Sequence, residues 1–171
     1  CAIDAGVDKV IGVSSDKAVN PVNAYGASKL SMEKLFLQSS LYADKTIFCI
    51  VRFGNFMGSS GSVIPQFIAG EKNGCIEITD INMVRYWIEI KEAARFLLSH
   101  ASQMQDGEIY IPKMQEMNLK EVIEKYAPTA KWKVVGIRPG EKMVELLFTE
   151  CEKANVDEFP EYYLIRRKME A

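Results

Sequence analysis

Thr46 to Phe53 reads TIFCIVRF, a run of β-branched, aromatic and apolar residues with little that would face water. A strand of that composition is covered on both faces, as the strands of a parallel sheet are. A second short apolar run, Val10-Ile11-Gly12-Val13, stands upstream, and Lys9 to Val13 is predicted as a strand. Between the two, Tyr25 to Tyr42 carries apolar residues at helical spacing, with Leu30, Met32, Leu35, Phe36 and Leu37 expected on the buried side. Cys1 to Val7 reads as the tail of a preceding helix, stopped at Gly6. Helix, strand, helix, strand in that order predicts an α/β fold with a parallel sheet and right-handed crossovers.

Downstream the elements shorten and mix. Gly54 to Pro65 is a glycine- and serine-rich loop, and Ser62 to Gly70 is predicted helical with Ser62 as a candidate N-cap. Strands are expected at Ile76 to Ile78, Val84 to Ile88, Glu108 to Ile111, Trp132 to Ile137 and Tyr162 to Ile165. Helices are expected at Lys91 to Ala101, at Leu119 to Tyr126 and, opened by Pro139-Gly140, at Glu141 to Phe148. The change of character places a soft boundary near Phe53 to Met57, hence one part over 1–56 and another over 57–171, with some segments of the second returning to the first.

Several function classes are excluded on bulk properties. The 171 residues carry a net charge of −2, which gives no electrostatic case for nucleic acid. No apolar run approaches the roughly 18 residues of a membrane span. No charged-then-apolar leader opens the chain. Cys1, Cys49, Cys75 and Cys151 lie far apart, no CxxC pair occurs, and His100 is the single histidine, which argues against a Cys/His metal site. Cys49 reads as a small core residue, His100 as a surface or helix-capping one, and the cysteine usage fits a reduced, cytoplasmic setting.

Chemistry-bearing groups cluster on the connection between the first strand and the first long helix: Ser14, Ser15, Asp16, Lys17, then Tyr25 and Lys29. Tyr25 and Lys29 are one helical turn apart on one face. An ammonium beside a phenol favours the phenolate, so such a tyrosine can act as a base. A carboxylate next to an amine can serve as the acid and base of an elimination. Each has a plain alternative: a chance YxxxK match, and a solvated turn pair for Asp16-Lys17. Asn55 and the loop leading to Ser62 and Val63 offer backbone N–H groups suited to a pyrophosphate, or form an ordinary flexible loop. Arg85 and Arg138 are candidates for bidentate phosphate contact, or for surface ion pairs.

Five ordered motifs sharpen these readings: SSDKAVNPVNAYGASKLSMEKL, VRFGNFMGSSGSVIPQF, ITDINMVRYW, GEIYIPKM and VGIRPGEKMVELL. Together they resemble the nucleotide-sugar 4,6-dehydratase branch of the extended short-chain dehydrogenases/reductases, and within it the inverting UDP-N-acetylglucosamine 4,6-dehydratases of the polysaccharide-biosynthesis family. Asp16-Lys17 resembles the inverting members; retaining ones carry Asp-Glu there. Tyr25 resembles the soluble enzymes rather than membrane-anchored or capsular relatives, which carry Met. The resemblance implies a Rossmann-like doubly wound sheet, present here in its C-terminal part, with a smaller mixed α/β substrate-binding part. It implies NADP as cofactor and UDP-N-acetylglucosamine as substrate. Tyr25 and Lys29 would serve the redox half of the reaction and Asp16 and Lys17 the elimination. Ser14, Tyr25 and Lys29 would meet the cofactor. Ser15, Asn55, Ser62, Val63, Arg85, Arg138 and Glu141 would meet the substrate. It also implies a homo-oligomer, a dimer or higher, paired through the YxxxK helix. A UDP-sugar epimerase or capsular dehydratase/epimerase is the alternative within enzymes, and a non-catalytic nucleotide-sugar-binding fragment the alternative outside them.

The chain departs from the family pattern at Ser60, where an Arg is common, and at Val144, where a His is common. Val84 and Ser15 each stand where Thr is usual. The glycine-rich dinucleotide fingerprint expected on a first strand–helix turn does not occur in these 171 residues. The chain opens without Met, as if in mid-helix, so it is expected to be part of a longer protein and inactive by itself.

Overall fold

A computed structural model describes residues 1–59 and 62–166. Ser60, one of the departures from the family pattern, lies outside the described residues. The chain divides into two units. The first comprises Cys1–Phe53, Lys91–Lys113 and Leu146–Ala171, and the second Gly54–Ile90 and Met114–Glu145.

In the first unit, β1 (Lys9–Ser15) and β2 (Ile47–Phe53) pair in parallel, from Lys9 opposite Ile47 to Ser15 opposite Phe53. Helix α1 (Ala24–Ser39) crosses between them. β6 (Ile109–Pro112) extends the parallel sheet beyond β2. β10 (Tyr162–Ile165) and β9 (Val156–Glu158) then add antiparallel, giving the order β1-β2-β6-β10-β9. This is the parallel sheet the apolar runs predict, Rossmann-like as the family resemblance implies, finished by an antiparallel pair. Cys49, Ile50, Val51 and Ile111 are wholly buried in it. Burial pushes the Cys49 thiol up to about 11, so it behaves as a core residue. The first seven residues close like the end of a helix: Gly6 N–H bonds Ile3 O, Val7 N–H bonds Ala2 O, and Gly6 has a φ of +66°. That is a Schellman termination, in which glycine is favoured because it meets no Cβ penalty.

Two expectations in this unit hold only in part. On the expected side of α1, Met32 and Phe36 pack over Gly12 of β1 but are only half-buried, Leu35 is 63% exposed, and the buried positions are Gly26 and Glu33. Apolar residues surround this helix, so spacing alone does not pick a face. Of the two readings of His100, surface or helix-capping, the capping one holds, and the residue is buried. It ends α3 (Ile90–His100) with its ring stacked on Phe96 at 4.2 Å and edge-on to Tyr162 at 5.0 Å. Its Nδ1–H donates to the Phe96 carbonyl at 2.9 Å, which satisfies a ring taken out of water.

The second unit holds a three-stranded sheet of β3 (Asn55–Phe56), β5 (Val84–Ile88) and β7 (Gln115–Asn118), and a parallel pair, β4 (Cys75–Ile78) with β8 (Lys131–Val134). Its core gathers Ile64 and Phe67 of α2 (Val63–Lys72), Ile76, Ile78 and Trp87 of the sheets, and Val122 and Ile123 of α4 (Leu119–Tyr126). Asn118 and Glu121 form a reciprocal capping box that starts α4 where β7 ends. The predicted helix over Glu141 to Phe148 does not form. Pro139-Gly140 makes a turn, Val84 N–H takes the carbonyl of Met143, and the Arg85 guanidinium takes those of Lys142 and Met143. These bonds turn the carbonyls of Lys142 and Met143 toward β5 rather than along a helix axis. A single short helix, α5 (Glu150–Lys153), follows in the first unit, capped by Thr149 and Glu152.

Candidate active site

β1 ends in Ser14 and Ser15, and the chain turns at once into one 3₁₀ turn, Asp16–Ala18. Ser15 caps that turn, its hydroxyl accepting from Lys17 N–H at 3.3 Å. Asp16 is 0% exposed. Its Oδ1 accepts from the Ser15 hydroxyl at 2.9 Å and from Lys17 Nζ at 3.0 Å. Its Oδ2 is buried without a hydrogen-bond partner. An orphaned buried acceptor costs about 1–3 kcal/mol, so it persists only where something outweighs that cost.

Asn23 then caps α1, accepting from Gly26 N–H at 2.8 Å. Gly26 lets the helix lie against the Asp16–Ala18 turn: a Cβ there would stand 2.3 Å from the Lys17 carbonyl oxygen. This close approach brings the two halves of the cluster together. Lys29 Nζ donates to Val13 O at 3.0 Å, which ties the helix back to the strand end, and lies 5.8 Å from the centre of the Tyr25 ring. Tyr25 is 53% exposed, so its phenol faces open space beside a cation held in place. Ser14 is buried, and its hydroxyl donates to Glu33 Oε1 at 2.6 Å. Ser14, Ser15, Asp16, Lys17, Tyr25 and Lys29 are thus gathered at one strand end within the first unit.

The other candidates lie in the second unit. Arg85 is buried, and its guanidinium donates to the carbonyls of Val84 at 2.7 Å, Met143 at 3.3 Å and Lys142 at 2.8 Å. Arg138 and Glu141 meet in a turn: Arg138 N–H donates to Glu141 Oε2 at 3.3 Å, and Glu141 N–H to Arg138 O at 3.1 Å. The Arg138 side chain is exposed. Asn55 sits on β3 opposite Trp87 of β5. Ser62 precedes Val63 at the start of α2, and its hydroxyl is buried with no hydrogen-bond partner, so it does not cap the helix. Among the described residues no cluster of three His, Cys, Asp or Glu side chains could hold a metal ion.

Sequence reasoning missed the buried polar network beneath α1. Arg52, 1% exposed, donates through Nε to Glu33 Oε1 at 3.0 Å and through a terminal nitrogen to Glu33 Oε2 at 2.7 Å. It also reaches Glu152 and the Leu147 carbonyl. A signal was present. Arg52 is the one charge inside TIFCIVRF, and Glu33 stands among the apolar residues of α1. A lone opposite charge in each of two adjacent apolar elements predicts a buried pair.

The chain is similar to several known proteins. Over 164 residues the chain is 42% identical to the inverting UDP-N-acetylglucosamine 4,6-dehydratase of Campylobacter jejuni, covering 94% of this chain and 49% of that protein. It is 37% identical over 167 residues to a UDP-glucose 4-epimerase of Rickettsia bellii, covering 93% of this chain and 49% of that one. The X-ray structure of Pen from Bacillus thuringiensis superposes with a TM-score of 0.86 at 36% identity, over 96% of this chain and 54% of that chain. The chain spans about half the length of the curated relatives it matches. With the polysaccharide biosynthesis protein family matching residues 1–167, the chain belongs to that family.

Proposed function

We propose that the protein carrying this chain is a C5-inverting UDP-N-acetylglucosamine 4,6-dehydratase that works with NADP. The observation that carries the reading is Asp16: a fully buried carboxylate paired on Oδ1 with Ser15 and Lys17, open on Oδ2, at the strand end that also holds Tyr25 and Lys29. The similarity to the Campylobacter enzyme supports the same assignment. Substrate contact would fall to Ser15, Asn55, Ser62, Val63, Arg85, Arg138 and Glu141, the last six from residues 57–171 and the short strand before them.

The residues present fit the nicotinamide-ribose end of the cofactor. A lysine ammonium has three N–H groups, and Lys29 gives one to Val13 O, which leaves donors for a ribose diol. When bound, the cofactor would supply the hydride chemistry at C4 and C6 of the sugar, out and back, so the net reaction would be redox-neutral. Tyr25, with Lys29 beside it, takes the proton of the C4 hydroxyl. Ser15 directs its oxygen at the sugar near C4. The 4-keto group acidifies the C5 proton. A proton moved along the 3.0 Å contact from Lys17 Nζ to Asp16 turns the ion pair into a neutral acid and a neutral amine. Lys17 then takes the C5 proton while Asp16 protonates the departing C6 hydroxyl as water. Reprotonation of C5 from the opposite face inverts that centre.

The product would be a UDP-4-keto-6-deoxy-N-acetylhexosamine for surface polysaccharide or flagellin glycan synthesis, made in the cytoplasm. No helix among the described residues is long and apolar enough to cross a membrane. The exposed Leu35 on α1, with Leu41 and Tyr42 just after it, supports pairing of protomers through that helix. The test is incubation of the full-length protein with UDP-N-acetylglucosamine and NADP, followed by NMR of the sugar. A 4-keto-6-deoxy product inverted at C5 is expected. A C4 epimer, or unchanged sugar, overturns the reading.

A further inference from the structure

α1 carries the proposed proton-transfer pair, and its seat on the sheet is both apolar and polar. Met32 and Phe36 are half-buried against β1, and its buried positions are Gly26, which has no side chain, and Glu33. Under its middle, β1 presents Gly12, where even a Cβ would press on Phe36 at 2.9 Å and Met32 at 3.0 Å. Glu33 lies one helical turn beyond Lys29 and two beyond Tyr25, on the same face. Its carboxylate is held on both oxygens: Oε1 by the Ser14 hydroxyl at 2.6 Å and Arg52 Nε at 3.0 Å, Oε2 by Arg52 at 2.7 Å. Ser14 and Arg52 are direct partners in the β1–β2 ladder. Ser14 follows Val13, whose carbonyl receives Lys29. The bonds therefore close a ring: Lys29 to Val13, Val13 to Ser14, Ser14 to Glu33, and Glu33 back to Lys29 through one turn of helix. Arg52 braces the ring from β2 and is itself held by Leu147 O at 2.7 Å and Glu152 at 3.1 Å.

A buried ion pair is a poor source of stability. Apolar side chains of similar volume often serve as well or better, whereas hydrogen-bonded charges fix one register. We infer that the Glu33–Arg52 pair, with the Ser14 hydroxyl, is a positioning device that sets the depth and rotation of α1 against β1 and so holds Lys29, and through it Tyr25, in register with the strand end. Neither residue touches substrate. The inference rests on the reading of Tyr25 and Lys29 as the proton-transfer pair, but the seating of Lys29 can be measured without turnover.

The test uses the full-length protein with Glu33→Gln, Arg52→Lys and the double change Glu33→Leu/Arg52→Met, beside Ile123→Val as a destabilised control in the core of the second unit. Two quantities are read at a temperature where all are folded by circular dichroism: kcat and KM for the UDP-sugar, and the rate at which an amine-acylating reagent labels Lys29, by peptide mass. Misplacement of a catalytic group by about 1 Å costs roughly 100-fold, so Glu33→Gln is expected to lower kcat by that order with KM unchanged. Arg52→Lys falls between it and the parent. The double variant keeps the parent's thermal midpoint but stays slow, and Lys29 labels faster in all three and not in Ile123→Val. A folded double variant with parental kcat and parental Lys29 labelling overturns the inference. If the parent itself makes no 4-keto product, the proposed function falls, and the Lys29 labelling alone decides for or against the clamp.

Discussion

Asp16 is the residue on which the proposed chemistry turns. Removal of its acidity with little change in shape should separate the chemistry from the fold. Asp16→Asn keeps the Oδ1 contacts of Ser15 and Lys17 and cannot donate a proton to a leaving hydroxyl. General acid catalysis contributes typically 10²–10⁴-fold, so dehydration by the full-length protein should fall by about that factor while the thermal midpoint moves little. Product NMR and differential scanning calorimetry check the two halves. Gly26 makes the opposite prediction. Its missing side chain is what admits the Lys17 carbonyl, and a Cβ at 2.3 Å from a backbone oxygen has nowhere to go. Gly26→Ala should cost about 1–3 kcal/mol by overpacking and also displace the Asp16–Lys17 turn, so stability and rate fall together. Denaturant unfolding and initial rates measure it.

At the scale of elements, the seam between α1, β2 and the turn before α5 is electrostatic as well as apolar. Removal of one partner of a buried pair leaves an uncompensated charge and typically costs 3–5 kcal/mol, so Glu33→Ala should rank among the most damaging single changes in the first unit. Burial works to raise the Glu152 carboxyl, but its bonds and proximity to Arg52, with the Thr149 cap, hold it below the ordinary 4.5. The sign follows from linkage. Glu152 binds its proton more readily in the unfolded chain than in the folded one, so its contribution is complete above about 4.5 and is lost as pH falls through the lower folded value. Unfolding free energies measured between neutral and acid pH should therefore show a steeper acid limb in the parent than in Glu152→Gln. Equal slopes would mean that Arg52 does not hold Glu152 in the folded state.

For the molecule as a whole, the proposed reading puts the proton-transfer groups and the grip on the dinucleotide in different parts of the protein. The strand-end cluster is complete within residues 14–29, while no glycine-rich phosphate turn occurs in the sequence. The 171-residue chain expressed alone should lose NADP on desalting, whereas the full-length protein should keep it; absorbance of the reduced nicotinamide after gel filtration distinguishes the two. The sequence by itself determined the parallel α/β sheet, because strands covered on both faces must be apolar along their whole length, as TIFCIVRF is. It also determined the polar cluster between Ser14 and Lys29, since local capping and one helical turn already fix which of those side chains are neighbours. It did not determine which face of α1 is buried, that His100 lies in an aromatic stack, or that 141–148 stays irregular. Those outcomes depend on partners distant in the chain: Arg52 for Glu33, Tyr162 for His100, Arg85 for the carbonyls of Lys142 and Met143. A buried polar group goes where its hydrogen bonds can be met, and only the tertiary structure decides where that is.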